Sequence, residues 1–252
     1  MTEKLLYLAM ELGERLLICG AEVHRVEESL YRICSTYGTK RVDVYATTSN
    51  IVVSIVIEDN KILTQTRRIT GTSTDIEKLD ALNNLSRYIT ASKPSFEEIQ
   101  DKLKEIDQTK QYHPALVISC YALIAGAFTL FFGATTILEV LFSFIIGGII
   151  GFINMGGEKI GLQKLMLKLI CSFIACSLAF LSAKIPTVPT VDRIIIGNVM
   201  SLIPGIGLTN ALRDLFTGDV NTGILRSIDA LLLGTVIAAG YILSAAIWGG
   251  IL

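Results

Sequence analysis

Hydrophobic and polar positions follow three different periods along this chain, and each change of period marks a new part. Leu5, Leu8, Ala9, Leu12, Leu16 and Cys19 recur at three and four residues, while Glu3, Lys4, Glu11 and Glu14 fall off that face. This spacing predicts an amphipathic helix. Gly20 and Ala21 interrupt it without an obvious stop. Val23, Val26, Leu30, Ile33 and Cys34 then resume the spacing up to Tyr37 and Gly38, where glycine suits a helix C-cap. Next the period drops to two. Val42, Val44 and Ala46 alternate with polar residues, Ile51 to Ile57 is rich in β-branched side chains, and Ile62, Thr64, Thr66 and Arg68 follow a tight turn at Asp59 and Asn60. Three strands are predicted, the last two as a hairpin, with Thr47 to Asn50 linking the first two. Helical spacing returns with Asp75 as N-cap to Ile76, Leu79, Leu82, Asn83 and Ser86, ending near Ile89. Ser95, with Glu98 three residues on, reads as a capping box for a charged helix reaching Lys110.

From Pro114 the pattern becomes almost wholly apolar, with Glu139 as the only charge before Glu158. One crossing of the hydrocarbon core takes about 20 helical residues, so this run holds two. Dividing it at Gly133 and Ala134 gives spans 114–132 and 135–154; further spans fall at 165–183, 193–215 and 226–248. Lys184 and Pro186 stop the third, Trp248 is placed as an interfacial anchor, and Gly147 with Gly151 suits close contact with another helix. The expected fold is an α-helical membrane protein with about five transmembrane helices (residues 111–252), preceded by a small α+β domain (residues 1–110).

Charge sharpens that division. Of 22 basic residues 15 lie at or before Lys110, as do 17 of the 23 acidic ones, so the first part has a soluble character and the rest a membrane character. Acidic and basic residues inside the first apolar pattern are wrong for a signal peptide, which keeps the α+β domain in the cytoplasm. On that basis the inward loops carry Lys159, Lys164, Lys168, Arg213 and Arg226 and the outward ones only Lys184 and Arg193, in line with the positive-inside rule for a bacterial cytoplasmic membrane. A net charge of −1 suggests no nucleic-acid partner. Five cysteines form no Cys-x-x-Cys pair and read as small buried hydrophobes; His24 and His113 are not placed as metal ligands or bases. No metal, cofactor or enzyme chemistry is expected. The charges at Glu22, His24, Arg25, Glu27 and Glu28 read first as a solvated helix surface.

The fourth span cannot be a plain helix. Pro204 lies roughly 16 Å along a helix from Arg193 and roughly 14 Å from Arg213, near the middle of the bilayer. Proline lacks a backbone donor and Gly205 lets the chain leave helical geometry, so polar backbone groups are freed where lipid cannot satisfy them. Such a break needs cover from other helices or a wet cavity, as in transporters. Beyond it Thr209, Asn210, Arg213, Asp214 and Thr217 form a polar stripe. The candidate substrate-binding residues are Pro204, Gly205, Gly207, Asn210, Arg213 and Asp214. Arg213 would hold a carboxylate and Asp214 would carry a coupling proton, with Asp229 and Glu139 as further coupling carboxylates nearer the span ends. A packing kink, with Arg213 and Asp214 merely marking a helix end, is the alternative.

These residues resemble the threonine/serine exporter family, which includes a split, two-subunit branch described as exporting succinate. In the first domain the resemblance rests on Gly20, Ala21 and Glu22 with Arg25, Val26 and Glu27, on Ser49 and Asn50, and on Thr64 to Arg68. Later it rests on Pro204 and Gly205, Asn210 and Ala211, Asp214, Gly218, Asn221 to Gly223, and Arg226. It implies export of a small carboxylate-bearing metabolite, threonine or serine or a C4-dicarboxylate such as succinate. Full-length family members resemble this chain followed by a second, smaller membrane domain, so the resemblance also implies a partner subunit of that type; self-association stays open. A membrane-anchored sensor or scaffold is the competing class.

Overall fold

A computed structural model of the chain describes residues 2–58, 60–109, 112–185 and 190–248. Asp59 of the expected hairpin turn, Lys110 at the expected helix end and Pro186 of the expected stop lie outside the described residues. The elements run α1 (Thr2–Ile18), α2 (Val23–Thr36), β1 (Arg41–Ala46), β2 (Asn50–Val56), β3 (Ile62–Arg68), α3 (Ile76–Ser92) and α4 (Phe96–Asp107). They continue with α5 (Pro114–Phe131), α6 (Ile137–Lys159), α7 (Lys164–Ser182), α8 (Val191–Met200), α9 (Gly205–Thr217) and α10 (Val220–Trp248). The chain forms two compact units, one of Met1–Lys110 with Thr209–Arg226 and one of Gln111–Leu208 with Ser227–Leu252.

In the first unit an antiparallel sheet of order β1-β2-β3 packs with α1 to α4. Alternation in β2 sends Ile51, Val53 and Ile55 into the core. The apolar face expected of α1 is buried, and so are Leu6, Met10 and Leu17 beyond it, because this helix is covered from several sides. A Cβ on Gly13 would stand 2.9 Å from a Leu30 methyl and 3.3 Å from one of Ile51, so glycine marks where α2 and the sheet close on α1. What stops α1 is Gly20, in the left-handed region at φ +92°. The Ile18 and Cys19 carbonyls there accept the N–H groups of Ser73 and Asp75. Asp75 caps α3 as expected, its carboxylate accepting the Lys78 N–H at 3.0 Å, but Ile76 is exposed rather than core. Ser95 caps α4 by accepting the Glu98 N–H, while the Glu98 carboxylate takes the Tyr88 hydroxyl instead of completing the box.

Small residues set the packing of the second unit. A Cβ on Gly147 would lie 2.6 Å from the Ala125 Cβ and 2.8 Å from the Tyr121 carbonyl oxygen, and one on Gly151 2.9 Å from the Tyr121 Cβ, so the expected small-residue pair faces α5. Gly240 of α10 meets Ser172 of α7 in the same way, and the Ser172 hydroxyl donates to the Ile237 carbonyl at 2.7 Å. The second apolar helix starts at Ile137, later than its spacing predicts, because Thr136 and Glu139 form a capping box, and α10 starts earlier, at Val220. Large apolar side chains such as Phe131, Phe152, Ile145 and Leu231 point outward. Four helices are long and apolar enough to cross a membrane, and α8 with α9 makes a fifth if the bent pair is one span. Cys19, Cys34, Cys171 and Cys176 are free and buried; Cys120, on α5, is exposed and departs from the buried reading.

Candidate functional site

The interrupted span is built by local chemistry. A residue before proline is driven out of the helical region, so α8 ends at Met200 and α9 begins beside Pro204, with a 58° bend between the two helices. Within the turn the Asn198 carbonyl accepts the Ser201 N–H and hydroxyl, and the Val199 carbonyl accepts the Leu202 N–H. The Pro204 carbonyl accepts the Leu208 N–H at 3.0 Å. Ile206 and Gly207 in the first turn of α9 have no backbone acceptor among the described residues, the usual condition of a helix N-terminus. A Cβ on Gly205 would meet nothing within 4 Å and one on Gly207 only Pro204 at 3.7 Å, so the backbone here borders open space.

Behind the turn, α5, α6 and α8 enclose a polar cluster that no motif announced. Thr129, Ser143 and Asn198 are each fully buried. The Thr129 hydroxyl lies 2.6 Å from Ser143 Oγ, and Asn198 Nδ2 donates to Ser143 Oγ and to the Ile194 carbonyl, both at 2.9 Å. Asn198 Oδ1 is left buried with no partner among the described residues. A buried acceptor left unmet costs about 1–3 kcal/mol. The cluster continues along α6 and α8: Glu139 is fully buried, accepts the Thr135 N–H at 2.8 Å and the Thr190 hydroxyl at 2.6 Å, and lies 3.8 Å from Arg193 Nη1. Of the expected site residues, Glu139 alone belongs here. Polar residues isolated in apolar runs were the signal for the others, since a membrane helix carries them only at a cost.

The rest of the expected stripe lies further along α9. Asn210 is half-buried, and Arg213, exposed, reaches Glu22 at 2.7 Å. Asp214 is buried and faces Arg226 rather than Arg213, its Oδ2 lying 3.0 Å from Arg226 Nη1 without the alignment of a hydrogen bond. Arg226 also donates to the Ala21 carbonyl at 2.9 Å, which ties the α1–α2 elbow to the start of α10 inside the first unit. The stripe therefore splits, Asp214 turning inward while Thr209 and Arg213 face outward. Asp229 is exposed on α10. A separate polar group joins α6 to α7, where Lys168 donates to Asn154 at 3.0 Å and Asn154 to Glu158 at 2.7 Å. No group of three His, Cys, Asp or Glu side chains suited to a metal occurs among the described residues.

A family model described as "Putative threonine/serine exporter" matches residues 7–248. The chain is 24% identical over 254 residues to the "Probable succinate transporter subunit YjjP" of Escherichia coli K12, covering 96% of this chain and 94% of that one. It is 23% identical over 242 residues to the protein of the same description from Klebsiella aerogenes, covering 91% and 88%. It is also 24% identical over 248 residues to the "Probable threonine/serine exporter" of Mycobacterium tuberculosis, covering 96% of this chain but 46% of that longer relative. No solved structure matches. With almost its whole length aligned to the family model and several apolar helices to cross a bilayer, the chain belongs to the threonine/serine exporter family.

Proposed function

We propose that the chain is one subunit of an exporter of small carboxylate-bearing metabolites, threonine and serine or a C4-dicarboxylate such as succinate. It works in the bacterial cytoplasmic membrane with its α+β domain in the cytoplasm. The observation that carries this reading is the bent break between α8 and α9, with the unpartnered Asn198 Oδ1 one turn before it. An amino or hydroxyl group of a passing solute, or a water, would supply the missing donor, while the first turn of α9 at Ile206 and Gly207 offers N–H groups to a carboxylate. Asn210, Arg213 and Asp214 continue along the same helix, and Arg213 would exchange Glu22 for a substrate carboxylate. Asp214, Glu139 and Asp229 are the proposed groups for coupling export to an ion gradient.

Two relatives are described as transporter subunits, and the longer mycobacterial relative extends well beyond the matched region. Both facts support a second, smaller membrane subunit. The test is efflux of labelled threonine, serine and succinate from proteoliposomes holding the chain with and without such a subunit. Efflux of one of these solutes is expected only with both subunits present. Asn198→Leu, similar in volume but without the amide, should lower it at least tenfold at equal protein level. Undiminished efflux from Asn198→Leu and from Arg213→Gln would remove the break from the pathway. No efflux with any partner would favour a membrane-anchored sensor.

A further inference from the structure

The first unit holds a groove of about 410 Å³ between α2 and α3 that the transport reading does not use. Arg25, Ser29 and Arg32 recur along α2 at spacings of four and three, and Asn83, Ser86 and Arg87 lie opposite on α3. The apolar residues next to them, Val26, Leu30 and Ile33 on α2 and Leu82, Leu85 and Ile89 on α3, go to the core. Serines at the seam are too short to fill the space between the two helices, so a hollow with a hydroxyl and amide floor remains beneath a rim of arginines.

Charge decides what fits. Three guanidiniums line the groove against one carboxylate, Glu28, and that carboxylate is engaged by Arg32. Arg25 has only Glu22, at 4.0 Å, and Arg87 has no ion-pair or hydrogen-bond partner among the described residues. Guanidinium forks match the oxygens of carboxylates and phosphates two at a time, and three arginines beside a single lining carboxylate leave positive charge for an anion to offset. The volume is at the small end of ligand pockets, which span about 300–1,000 Å³, and suits a compact molecule. Extended polyanions fit poorly, because residues up to Lys110 carry more acidic than basic side chains.

We infer that the groove between α2 and α3 binds a small dianion through Arg25, Arg32 and Arg87, a dicarboxylate or a phosphate group, as a ligand site of the α+β module. This assignment does not depend on the chain being a transporter. A free metabolite and a lipid headgroup share that chemistry, so the bilayer is made a variable of the test. The full chain in nanodiscs of zwitterionic lipid is titrated calorimetrically with inorganic phosphate and, separately, with succinate at low ionic strength. Saturable binding of at least one is expected. Arg87→Gln should weaken it at least tenfold without moving the unfolding temperature, since Arg87 is exposed and holds no partner to lose. Glu28→Gln should tighten it severalfold by releasing Arg32. Unchanged affinity in discs containing phosphatidylglycerol assigns the groove to a free metabolite, and weakened affinity there assigns it to the headgroup. The inference is overturned if neither dianion binds, if Arg87→Gln leaves binding intact, or if acetate binds as tightly as either dianion.

Discussion

Glu27 shows how much a single position depends on what folds over it. In sequence it belongs to a charged helix surface, yet its carboxylate lies half-buried and accepts the Ala46 N–H at 2.7 Å. Burial raises its pKa above the ordinary 4.5, the Ala46 N–H pulls the other way, and the nearby Asp219 adds to the rise. A raised carboxyl pKa means the folded chain holds that proton more tightly than the unfolded one. Its contribution to stability is therefore full below about 4.5, the unfolded value, and is lost as pH rises through the folded value. Glu27→Gln keeps an acceptor for Ala46 and removes the charge. Unfolding temperatures measured from pH 4 to 8 should lose that decline in the variant and be no lower than the wild type at pH 7. Asn198 was illegible in sequence for a similar reason. One amide in an apolar run has no partner until α5 and α6 bring Thr129 and Ser143 beside it.

Elements whose logic is local could be read directly. Proline and glycine at 204 and 205 act on their own backbone, so the interruption was visible from two residues, and the alternation of β2 announced its buried face. Gly147 was legible as a contact point, though its partner was not. The close approach of α5 gives a measurable consequence. Gly147→Ala pushes a methyl against the Tyr121 backbone oxygen and the Ala125 Cβ, neither of which can swing aside, and should cost about 1–3 kcal/mol. Gly148→Ala, with nothing nearer than 3.8 Å, should cost nothing. Thermal unfolding of the two variants in detergent compares them. The capping box at Thr136 rests on a Thr-x-x-Glu pattern that is present in the sequence, just beyond the expected division at Gly133 and Ala134. The one expected at Ser95 formed only by half, since Tyr88, on another helix, claims the Glu98 carboxylate.

At the scale of the whole molecule, charge density sets a charged first part apart from later apolar helices, four of which are long and apolar enough to cross a membrane. What sequence order hid is that Thr209–Arg226 belongs to the same compact unit as the first part of the chain. Two ion contacts lie in that segment, Asp214 with Arg226 inside it and Arg213 reaching Glu22 ahead of α2, and they differ in depth. Asp214 and Arg226 are mostly enclosed, with 2% and 15% of their side chains exposed, whereas Arg213 beside Glu22 is 55% exposed. Arg226→Ala strands a buried carboxylate and should cost about 3–5 kcal/mol. Arg213→Ala removes an exposed pair and should cost no more than about 1 kcal/mol. Thermal unfolding of the full chain separates the two, and Asp214→Asn combined with Arg226→Gln should recover most of the larger loss. The return of this segment also sets a timetable for biosynthesis. A ribosome delivers the sheet and its helices early, but the guanidinium destined for the Ala21 carbonyl emerges only after α5 to α9 have been made. The earliest-born module is thus completed by one of the latest-born stretches, and a nascent chain halted before residue 226 would carry it unfinished.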